Sequence, residues 1–404
     1  MKIALINLPS NFLISDKVFP PLGLLYVGTY LRQYDHQPEI YDMAGKSKEI
    51  IFDEIQQINA DIYGISATTP QYPLALEIKK TILAKKPVII GGAHATYMPG
   101  ECEKDFDCVI IGEGERAFLK TLHQYEEMGA LAPSVIGFPF DLDVLPIPDR
   151  TMLLLNGYQY ILDGRVATSL ISSRGCPYHC AFCIETDSVR YVSAKKVIEE
   201  IDNISSLGYC ALVFYDDIFT ANKTRLQIIT HHLKQKDIIY RCFTHVLLSD
   251  EDRINILAET GCKEIGIGIE SGDNEILKNI KKGFTAEEAL EAVQKYHARN
   301  IRVKTFIIVG LPGESCESIE KTRQWLQQAK PDAWDISVFI PYPGCDIYHN
   351  KAKYDIKFSE HLDWNLGWYK GITGNYVSQV ETSQLTAKDI VAARDMLDKE
   401  LWHK

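Results

Sequence analysis

The chain lacks any apolar run long enough to cross a bilayer, and it lacks an excess of positive charge. Its 404 residues, enough for two or three domains, carry a formal net charge of −11, so we expect neither nucleic acid nor a membrane as a partner. The apolar part of Met1–Asn7 is too short for a secretory signal and predicts a first strand. Without an export signal we expect a cytoplasmic protein, whose ten cysteines are reduced thiols or metal ligands.

Most of the cysteines are scattered, but Cys176, Cys180 and Cys183 lie together with the spacing C-x3-C-x2-C. They follow a predicted strand, Val166–Ser172. Three thiolates on one short loop can hold three irons of a cuboidal cluster and leave the fourth iron open to a small molecule. The simpler alternatives are chance grouping of buried thiols and a zinc site completed by His179. The zinc geometry is awkward because zinc ligands more often form two separated pairs.

This spacing, with Phe182 just before the last cysteine, resembles the signature of the radical S-adenosylmethionine (SAM) superfamily. There SAM binds the open iron through its amino and carboxylate groups, and an electron from the cluster cleaves it to a 5′-deoxyadenosyl radical. The resemblance implies a catalytic 4Fe–4S cluster on Cys176, Cys180 and Cys183, with Phe182 beside the cofactor. It also implies a reductant protein of the flavodoxin or ferredoxin type. The cofactor supplies the chemistry, and the protein supplies orientation and shielding.

Strand and helix patterns alternate from Val166 to Pro343, which predicts a partial (β/α)6 barrel. The strands are expected at Val166–Ser172, Ala211–Tyr215, Ile238–Phe243, Glu264–Ile269, Arg302–Val309 and Asp335–Ile340. Active sites of such barrels lie at the carboxyl ends of the strands, where the cysteine loop (Arg174–Cys183) falls.

Loops after the later strands extend the resemblance to the SAM site. A carboxylate in the Asp216–Asp217 pair is expected to accept hydrogen bonds from the ammonium of SAM, with helix capping by Asp217 as the simpler alternative. Glu270 ends an apolar strand, where an unpaired charge is costly, so we expect it to have a partner. For the other loops the alternative is an ordinary turn. The resemblance implies SAM contacts from Asp216, Glu270, Ser271, Gly310, Leu311 and Pro343.

His245 departs from the superfamily pattern. Relatives commonly carry an arginine near the end of the third barrel strand, and this chain has a histidine there. A barrel strand end favours a place in the pocket, so His245 is a candidate catalytic residue. Substrate contact, proton transfer and simple packing remain open for it.

Residues 1 to about 125 alternate short apolar strands with helices, which predicts a doubly wound, Rossmann-like parallel sheet. Ligands bind such sheets at the carboxyl ends of strands, where glycines allow close approach. Three loops follow these strands, at Ser66–Pro70, Gly91–Thr96 and Gly112–Glu115. Together with Pro20-Pro21-Leu22-Gly23-Leu24 they resemble the cobalamin-binding domain in front of many radical SAM enzymes. The resemblance implies cobalamin contacts from Ser66, Thr68, Gly91, Gly92, His94, Gly112, Glu113 and Gly114.

Each of these loops has a simpler interpretation as a tight strand-to-helix turn, and His94 as a hydrogen-bonding structural residue. The loop Leu8–Pro21 contains no histidine, unlike corrinoid proteins that ligate cobalt from below. We therefore expect cobalamin to be held without a histidine ligand under the cobalt, with His36 and His94 as the candidates if there is one.

The sequence thus predicts an α/β protein of four regions. These are a cobalamin-binding-like domain (1–125), a proline-punctuated linker (126–160), a radical SAM barrel (161–344) and an extension (345–404). The extension, with Trp364, Trp368 and Tyr369 before a helical tail, is expected to cap the substrate or simply to pack.

The family resemblance implies a cobalamin-dependent enzyme that methylates an unreactive carbon, or less often phosphorus, in a small metabolite or natural-product intermediate. One alternative is a radical SAM cyclase, ring-contraction or rearrangement enzyme using the same domains. Another is a non-catalytic corrinoid carrier or sensor. Methylthiotransferases have a similar layout, but they need three N-terminal cysteines, which Cys102 and Cys108 do not supply.

Overall fold

The computed structural model describes residues 1–10, 15–82, 86–184, 188–367 and 374–402. The chain forms two compact units. The first contains Met1–Tyr158 together with Trp364–Gly367, a short piece from far along the chain. The second contains Gln159–Asp363 and the rest of the C-terminal segment. No helix in the described ranges is long and apolar enough to span a membrane.

The first unit is built on a six-stranded sheet with the strand order 2-1-3-4-5-6. Its strands are β1 (Lys2–Asn7), β2 (Gln37–Asp42), β3 (Ile62–Ser66), β4 (Val88–Gly91), β5 (Cys108–Gly112) and β6 (Ser134–Gly137). Its helices are α1 (Leu22–Arg32), α2 (Lys48–Gln57), α3 (Tyr72–Thr81), α4 (Ala93–Tyr97), α5 (Pro99–Cys102) and α6 (Gly114–Met128). All neighbouring strands pair in parallel, which confirms the predicted doubly wound sheet.

Strand β1 lies inside this sheet because its sequence is apolar on both faces. Ile3, Ala4, Leu5 and Ile6 are all buried, with no alternation of polar and apolar positions. A continuous apolar run of this kind is typical of a parallel strand covered by helices on both sides. Only the ends of the strand are polar. Its carboxyl end lies at the edge of the sheet where parallel sheets bind ligands.

The segment predicted as a linker, 126–160, is largely part of the first unit. It supplies the end of α6 and the whole of the edge strand β6. Its later part is fastened by side chains: Tyr158 donates a hydrogen bond to Asp42 at 2.6 Å, and Arg32 pairs with Asp149 at 2.6 Å. Strand β6 has four residues and lies between Pro133 and Pro139, whose spacing indicated a linker.

The second unit contains a seven-stranded sheet in which six parallel strands follow one another in chain order. In chain order the strands of the unit are β7 (Tyr160–Leu162), β8 (Arg165–Leu170), β9 (Ser173–Arg174), β10 (Arg190–Tyr191), β11 (Ala211–Phe214), β12 (Ile239–Thr244), β13 (Cys262–Glu270), β14 (Arg302–Val309), β15 (Ala333–Val338), β16 (Lys357–Phe358) and β17 (Val380–Glu381). The helices are α7 (Ala194–Ser206), α8 (Lys223–Gln235), α9 (Glu251–Glu259), α10 (Asn274–Asn279), α11 (Ala286–His297), α12 (Cys316–Ala329), α13 (Asp346–His349) and α14 (Ala387–Trp402).

The six parallel strands, β8 and β11 to β15, are those predicted for the partial barrel, which confirms that part of the fold. Strand β7 extends the sheet by antiparallel pairing with β8. Side chains alternate in the middle of β13, where Ile265, Ile267 and Ile269 belong to the core beneath the helices. The residues between them, Gly266 and Gly268, face the opposite side of the sheet.

The tail helix α14 packs on the edge of the second sheet. The Arg394 side chain donates from Nε to the carbonyl of Ile336 at 2.8 Å, and the indole of Trp334 donates to Asp398 at 3.3 Å. These contacts support the packing role for this part of the C-terminal extension. Trp368 and Tyr369 lie outside the described residues.

Candidate functional site

The cysteine loop is fastened at both of its ends and in its middle. Strand β9, at its start, pairs antiparallel with β10. In the middle, the N–H of Ala181 donates a hydrogen bond to the carbonyl of Ile280 at 2.9 Å. The carbonyl of Ala181 accepts one from the N–H of Ile347 at 3.1 Å. Just beyond the last cysteine, Ile184 forms an isolated bridge with Cys345. The loop is therefore held by the segments that follow the fourth and the sixth parallel strands.

The three predicted cluster ligands are free thiols that differ in exposure. Cys180 is buried, Cys176 is half-buried and Cys183 is exposed. A tight turn joins the last two, since the N–H of Cys183 donates to the carbonyl of Cys180 at 3.0 Å. Burial raises the pKa of Cys176 and of Cys180, so these thiols stay protonated until a metal displaces the proton.

No three histidine, cysteine, aspartate or glutamate side chains in the described ranges converge on a point where one metal ion would bind. His179, the proposed fourth ligand of a zinc site, is exposed. A four-iron cluster takes its thiolates on separate irons, so its ligands need not converge on one point. Three free thiols on one fastened loop at the carboxyl end of β8 fit such a cluster.

Asp216 is an internal anchor for the start of the cysteine loop. It is almost completely buried, and it accepts hydrogen bonds from the N–H and Oγ of Ser172, both at 2.6 Å, and from Oγ of Ser173 at 2.5 Å. Its oxygens are thus occupied by the residues that lead into the loop. The neighbouring Asp217 is exposed, and its negative charge raises the pKa of Cys176. Of this pair, Asp217 is the carboxylate presented to the cysteine loop.

The alternative that Asp217 caps the next helix is wrong. Helix α8 begins later, at Lys223, and its N-cap is Asn222, whose side chain accepts a hydrogen bond from the N–H of Arg225 at 3.0 Å. Arg225 in turn donates to the carbonyl of Ser172 at 2.6 Å. The first turn of α8 therefore also supports the strand end from which the cysteine loop departs.

Glu270 has the buried partner that its sequence position requires. Its Oε1 pairs with Nζ of Lys282 at 3.2 Å, and each residue is about nine-tenths or more buried, at 6% and 5% exposure. The pair fits only because position 268 is glycine: a Cβ there would lie 2.3 Å from Glu270 Oε1. Glu270 itself has a φ of +70°, next to a register shift between β13 and β14. Backbone irregularity at the strand end thus turns the carboxylate toward Lys282.

Lys282 was not predicted from the sequence. Its ammonium lies 5.7 Å from the ring centroid of Phe182, which is the residue before the last cluster cysteine. It also lies 5.5 Å from the ring centroid of Phe284. The buried ion pair therefore adjoins the cysteine loop. The only sequence signal was the expectation that Glu270 needs a partner of opposite charge.

The remaining predicted SAM contacts occupy supporting positions. Ser271 is fully buried, and its Oγ lies 3.2 Å from that of Thr322 on α12. Leu311 is fully buried in the core beneath the sheet. Gly310 has a φ of +95° and donates its N–H to Glu314 at 2.5 Å, and Pro343 is buried in the loop after β15. In these loops a ligand would contact the backbone rather than the side chains. This is the contact expected from turns that pack beside a cofactor.

His245 is brought to the cysteine loop, where it packs against Tyr178. The two rings are stacked with centroids 3.6 Å apart, and the imidazole also meets Phe284 edge-on at 5.2 Å. Its Nδ1 accepts a hydrogen bond from the N–H of Leu247 at 3.3 Å. Burial lowers the pKa of His245 to about 3, so the ring is neutral at physiological pH. This environment supports the packing alternative for His245.

The predicted cobalamin loops of the first unit lie together at the carboxyl ends of β3, β4 and β5. Ser66 ends β3 and pairs in register with Gly91, which ends β4. Thr68 is exposed, and its N–H donates to Gln71 Oε1 at 2.9 Å. The amide nitrogen of Gln71 donates to the carbonyl of Leu8 at 3.1 Å. The loops after β1 and β3 are therefore joined, and they present one polar edge.

The glycines in these loops are required by close approaches within the protein. Gly92 has a φ of +95°, and a Cβ there would lie 2.8 Å from the carbonyl oxygen of Ala67. Gly112 has a φ of +91°, and a Cβ there would lie 2.5 Å from the carbonyl oxygen of Gly137. The tight-turn interpretation accounts for both. Glu113 and Gly114, at the start of α6, are only partly buried.

His94 is enclosed within the first unit. It has no exposed surface, its ring stacks on Tyr72 with centroids 4.0 Å apart, and its Nδ1 lies 3.3 Å from Oγ1 of Thr69. Trp364 meets it edge-on at 6.2 Å. Burial lowers the pKa of His94 to about 4. His94 thus fits the structural role, while the polar edge formed by the backbone around it fits a corrinoid held without a histidine.

His36 is also unsuited to ligate cobalt at this edge. It directly precedes β2, so it lies at the amino end of the sheet, opposite the polar edge. It is 7% exposed, and burial lowers its pKa.

Comparisons with known proteins agree with this arrangement. The radical SAM superfamily model matches residues 170–326, and the B12 binding domain model matches residues 15–122. An uncharacterized methyltransferase of Pyrococcus horikoshii is 29% identical, over 96% of this chain and 90% of that protein. The anaerobic magnesium-protoporphyrin IX monomethyl ester cyclase of Rubrivivax gelatinosus is 26% identical, over 82% of this chain and 66% of that protein.

A similar fold is found among solved structures. The radical SAM methyltransferase TsrM from Kitasatospora setae, with cobalamin and a [4Fe-4S] cluster bound, superposes with a TM-score of 0.72. The match covers 91% of this chain and 82% of that one at 14% sequence identity, so it bears on the fold.

Proposed function

Because this chain is a cobalamin-dependent radical SAM enzyme, with a radical SAM domain and a B12-binding domain, we propose that it methylates an unreactive carbon of a small substrate. The proposal is carried by one observation. A fastened three-cysteine loop and a B12-binding domain occur in one chain whose similarity to an uncharacterized methyltransferase of Pyrococcus horikoshii extends over 96% of its length. Small metabolites and natural-product intermediates are the proposed substrates, with phosphorus as a less common target atom.

The bound groups supply the reactive chemistry: cluster and SAM provide a 5′-deoxyadenosyl radical, and cobalamin provides the methyl group. The chain's own part begins with Cys176, Cys180 and Cys183, which hold three irons and leave the fourth for SAM. Glu270 engages Lys282 through Oε1, and its Oε2 makes no hydrogen bond within the described part of the chain. We propose that this oxygen, with the exposed Asp217, accepts hydrogen bonds from the ammonium of SAM.

In the first unit, the backbone around Ser66, Thr68, Gly91 and Gly112 is proposed to hold cobalamin. Gly91 and Gly112 carry no side chain, which lets a bulky macrocycle approach the backbone closely at these positions. The reaction also needs a low-potential electron, for which we propose a flavodoxin- or ferredoxin-type donor.

The test is anaerobic incubation of reconstituted protein with SAM, reductant, cobalamin and a pool of candidate metabolites, read by mass spectrometry. Methylation gives a product heavier by one CH2, together with 5′-deoxyadenosine and S-adenosylhomocysteine. Omitting cobalamin should abolish the methylated product. Cys180→Ala should abolish 5′-deoxyadenosine as well, and turnover retained in this variant would refute the cluster assignment.

Cyclase chemistry is the second candidate, favoured by the similarity to the Rubrivivax cyclase over 82% of this chain. The same incubation separates it from methylation. A cyclase, ring-contraction or rearrangement enzyme yields 5′-deoxyadenosine with a product that has gained no CH2. A corrinoid carrier or sensor yields no 5′-deoxyadenosine with any substrate.

A further inference from the structure

We propose that the buried positive charge of Lys282 raises the reduction potential of the cluster. The negative charge of Glu270 opposes this effect. The inference rests on the proposed cluster site, and it does not depend on methyl transfer. It assigns a role to a buried charge pair that the reaction scheme otherwise uses only through one oxygen of Glu270.

The first support is the position of the ammonium. Lys282 is 5% exposed, and its Nζ lies 5.7 Å from the ring centroid of Phe182. In the sequence, Phe182 lies between two of the cluster cysteines. The backbone keeps it there, because Ile280, two residues earlier, accepts the N–H of Ala181 in the cysteine loop at 2.9 Å. A buried lysine so close to the loop acts on it through a poorly screened medium.

The second support is the rigidity of the segment that carries the charge. The N–H of Lys282 donates to the carbonyl of Leu277 at 2.9 Å, which closes the end of α10. Lys281 and Gly283 on either side both have positive φ values, of +59° and +75°. The Glu270 partner at 3.2 Å then fixes the side chain. The ammonium is therefore a fixed charge of the site.

The third support is the sign of the charge that adjoins the cysteine loop. The ammonium of Lys282 lies over the ring of Phe182 in that loop, and its partner Glu270 carries the opposite charge. Reducing the cluster adds one electron and so one negative charge. A fixed cation nearby stabilises the reduced form and raises the potential, whereas a nearby carboxylate does the opposite.

The experiment measures the midpoint potential of the reconstituted cluster by redox titration with electron paramagnetic resonance detection, without SAM, cobalamin or substrate. Lys282→Met should shift the midpoint to more negative values, and Glu270→Gln should shift it to more positive values. Lys282→Arg, which keeps the charge, should stay close to the parent. The matched control is Lys281→Met, since Lys281 is the adjacent lysine but is 43% exposed and pairs with Asp346 at 2.7 Å.

Opposite shifts for the two charge removals support the proposal. An unchanged midpoint in Lys282→Met with full iron content overturns it and leaves the proposed function intact. Shifts in the same direction overturn it too, because they indicate altered solvent access. If Lys282→Met fails to hold iron, the double variant Lys282→Met/Glu270→Gln is compared with Glu270→Gln alone. The double variant must then have the more negative midpoint, and loss of iron there also makes the role purely structural.

Discussion

Glu270 has a backbone conformation in the left-handed region, with a φ of +70°. A residue with a side chain is held there at a cost of about 1–2 kcal/mol, and only when the surroundings determine it. Here those surroundings are Gly268, which leaves room for the carboxylate, and Lys282, which neutralises it. The sequence predicted that Glu270 needs a partner, and this is confirmed. It did not identify Lys282, because the partner follows a short helix and a turn whose geometry no periodic pattern encodes.

Replacing Glu270 with Ala should weaken SAM binding by about tenfold or more, since a hydrogen bond to a charged group is lost. The visible absorbance of the cluster should stay intact, because no thiol is touched. Equilibrium binding of SAM to the reconstituted protein, followed beside the absorbance, provides the measurement. Loss of iron with unchanged affinity for SAM would show that Glu270 is structural.

His245 makes the folded protein sensitive to acid. Burial lowers its pKa to about 3 from the usual 6.5, so below about pH 6.5 the unfolded chain binds a proton that the folded protein does not. Stability is therefore lost as the pH falls from 6.5 toward 3, by at most about 1.4 kcal/mol per pH unit.

The variant His245→Phe keeps an aromatic ring against Tyr178 and removes the proton site. Its urea midpoint should fall less on acidification than that of the parent. The comparison needs both proteins titrated from neutral pH to about pH 4. Parallel curves would mean that His245 does not carry the effect.

At the scale of elements, sequence periodicity predicted the alternating strands and helices of both sheets. The alternation of strands and helices located the five strands of the first sheet other than β6 and all six parallel strands of the second. It missed β6 because the prolines on either side, Pro133 and Pro139, indicated a linker. It also suggested a ligand-binding reason for the loop glycines, whereas Gly112 is required by the close approach of Gly137 in β6. Contacts between elements distant in sequence decide such positions.

Gly112→Ala should therefore destabilise the first unit even without cobalamin, by about 2 kcal/mol or more, because it adds a clash to an unfavourable φ. Urea unfolding of the cobalamin-free protein is the measurement. Gly23→Ala is the matched control, since no atom lies within 4 Å of a Cβ at that position in α1. Unchanged stability in Gly112→Ala would restore the ligand-approach interpretation.

At the scale of the whole molecule, sequence motifs predicted the fold and the cofactors. The burial and position of two histidines predict that neither binds cobalt. His94 has no exposed surface, and His36 lies at the amino end of the sheet. Electron paramagnetic resonance of the Co(II) form should therefore lack nitrogen superfine splitting. A clear nitrogen pattern would show that one of these histidines is released to bind cobalt. If the protein takes up no cobalamin, the methyltransferase proposal fails with it.

The piece Trp364–Gly367 belongs to the first unit although more than two hundred residues of the second separate it from Tyr158. During synthesis on the ribosome, most of the first unit emerges early and can begin to fold at once. The indole that packs beside His94 arrives only after the strands of the second sheet have been made. Completion of the first unit therefore waits until Trp364–Gly367 has been made, and a fragment ending at residue 158 would lack the piece that completes it.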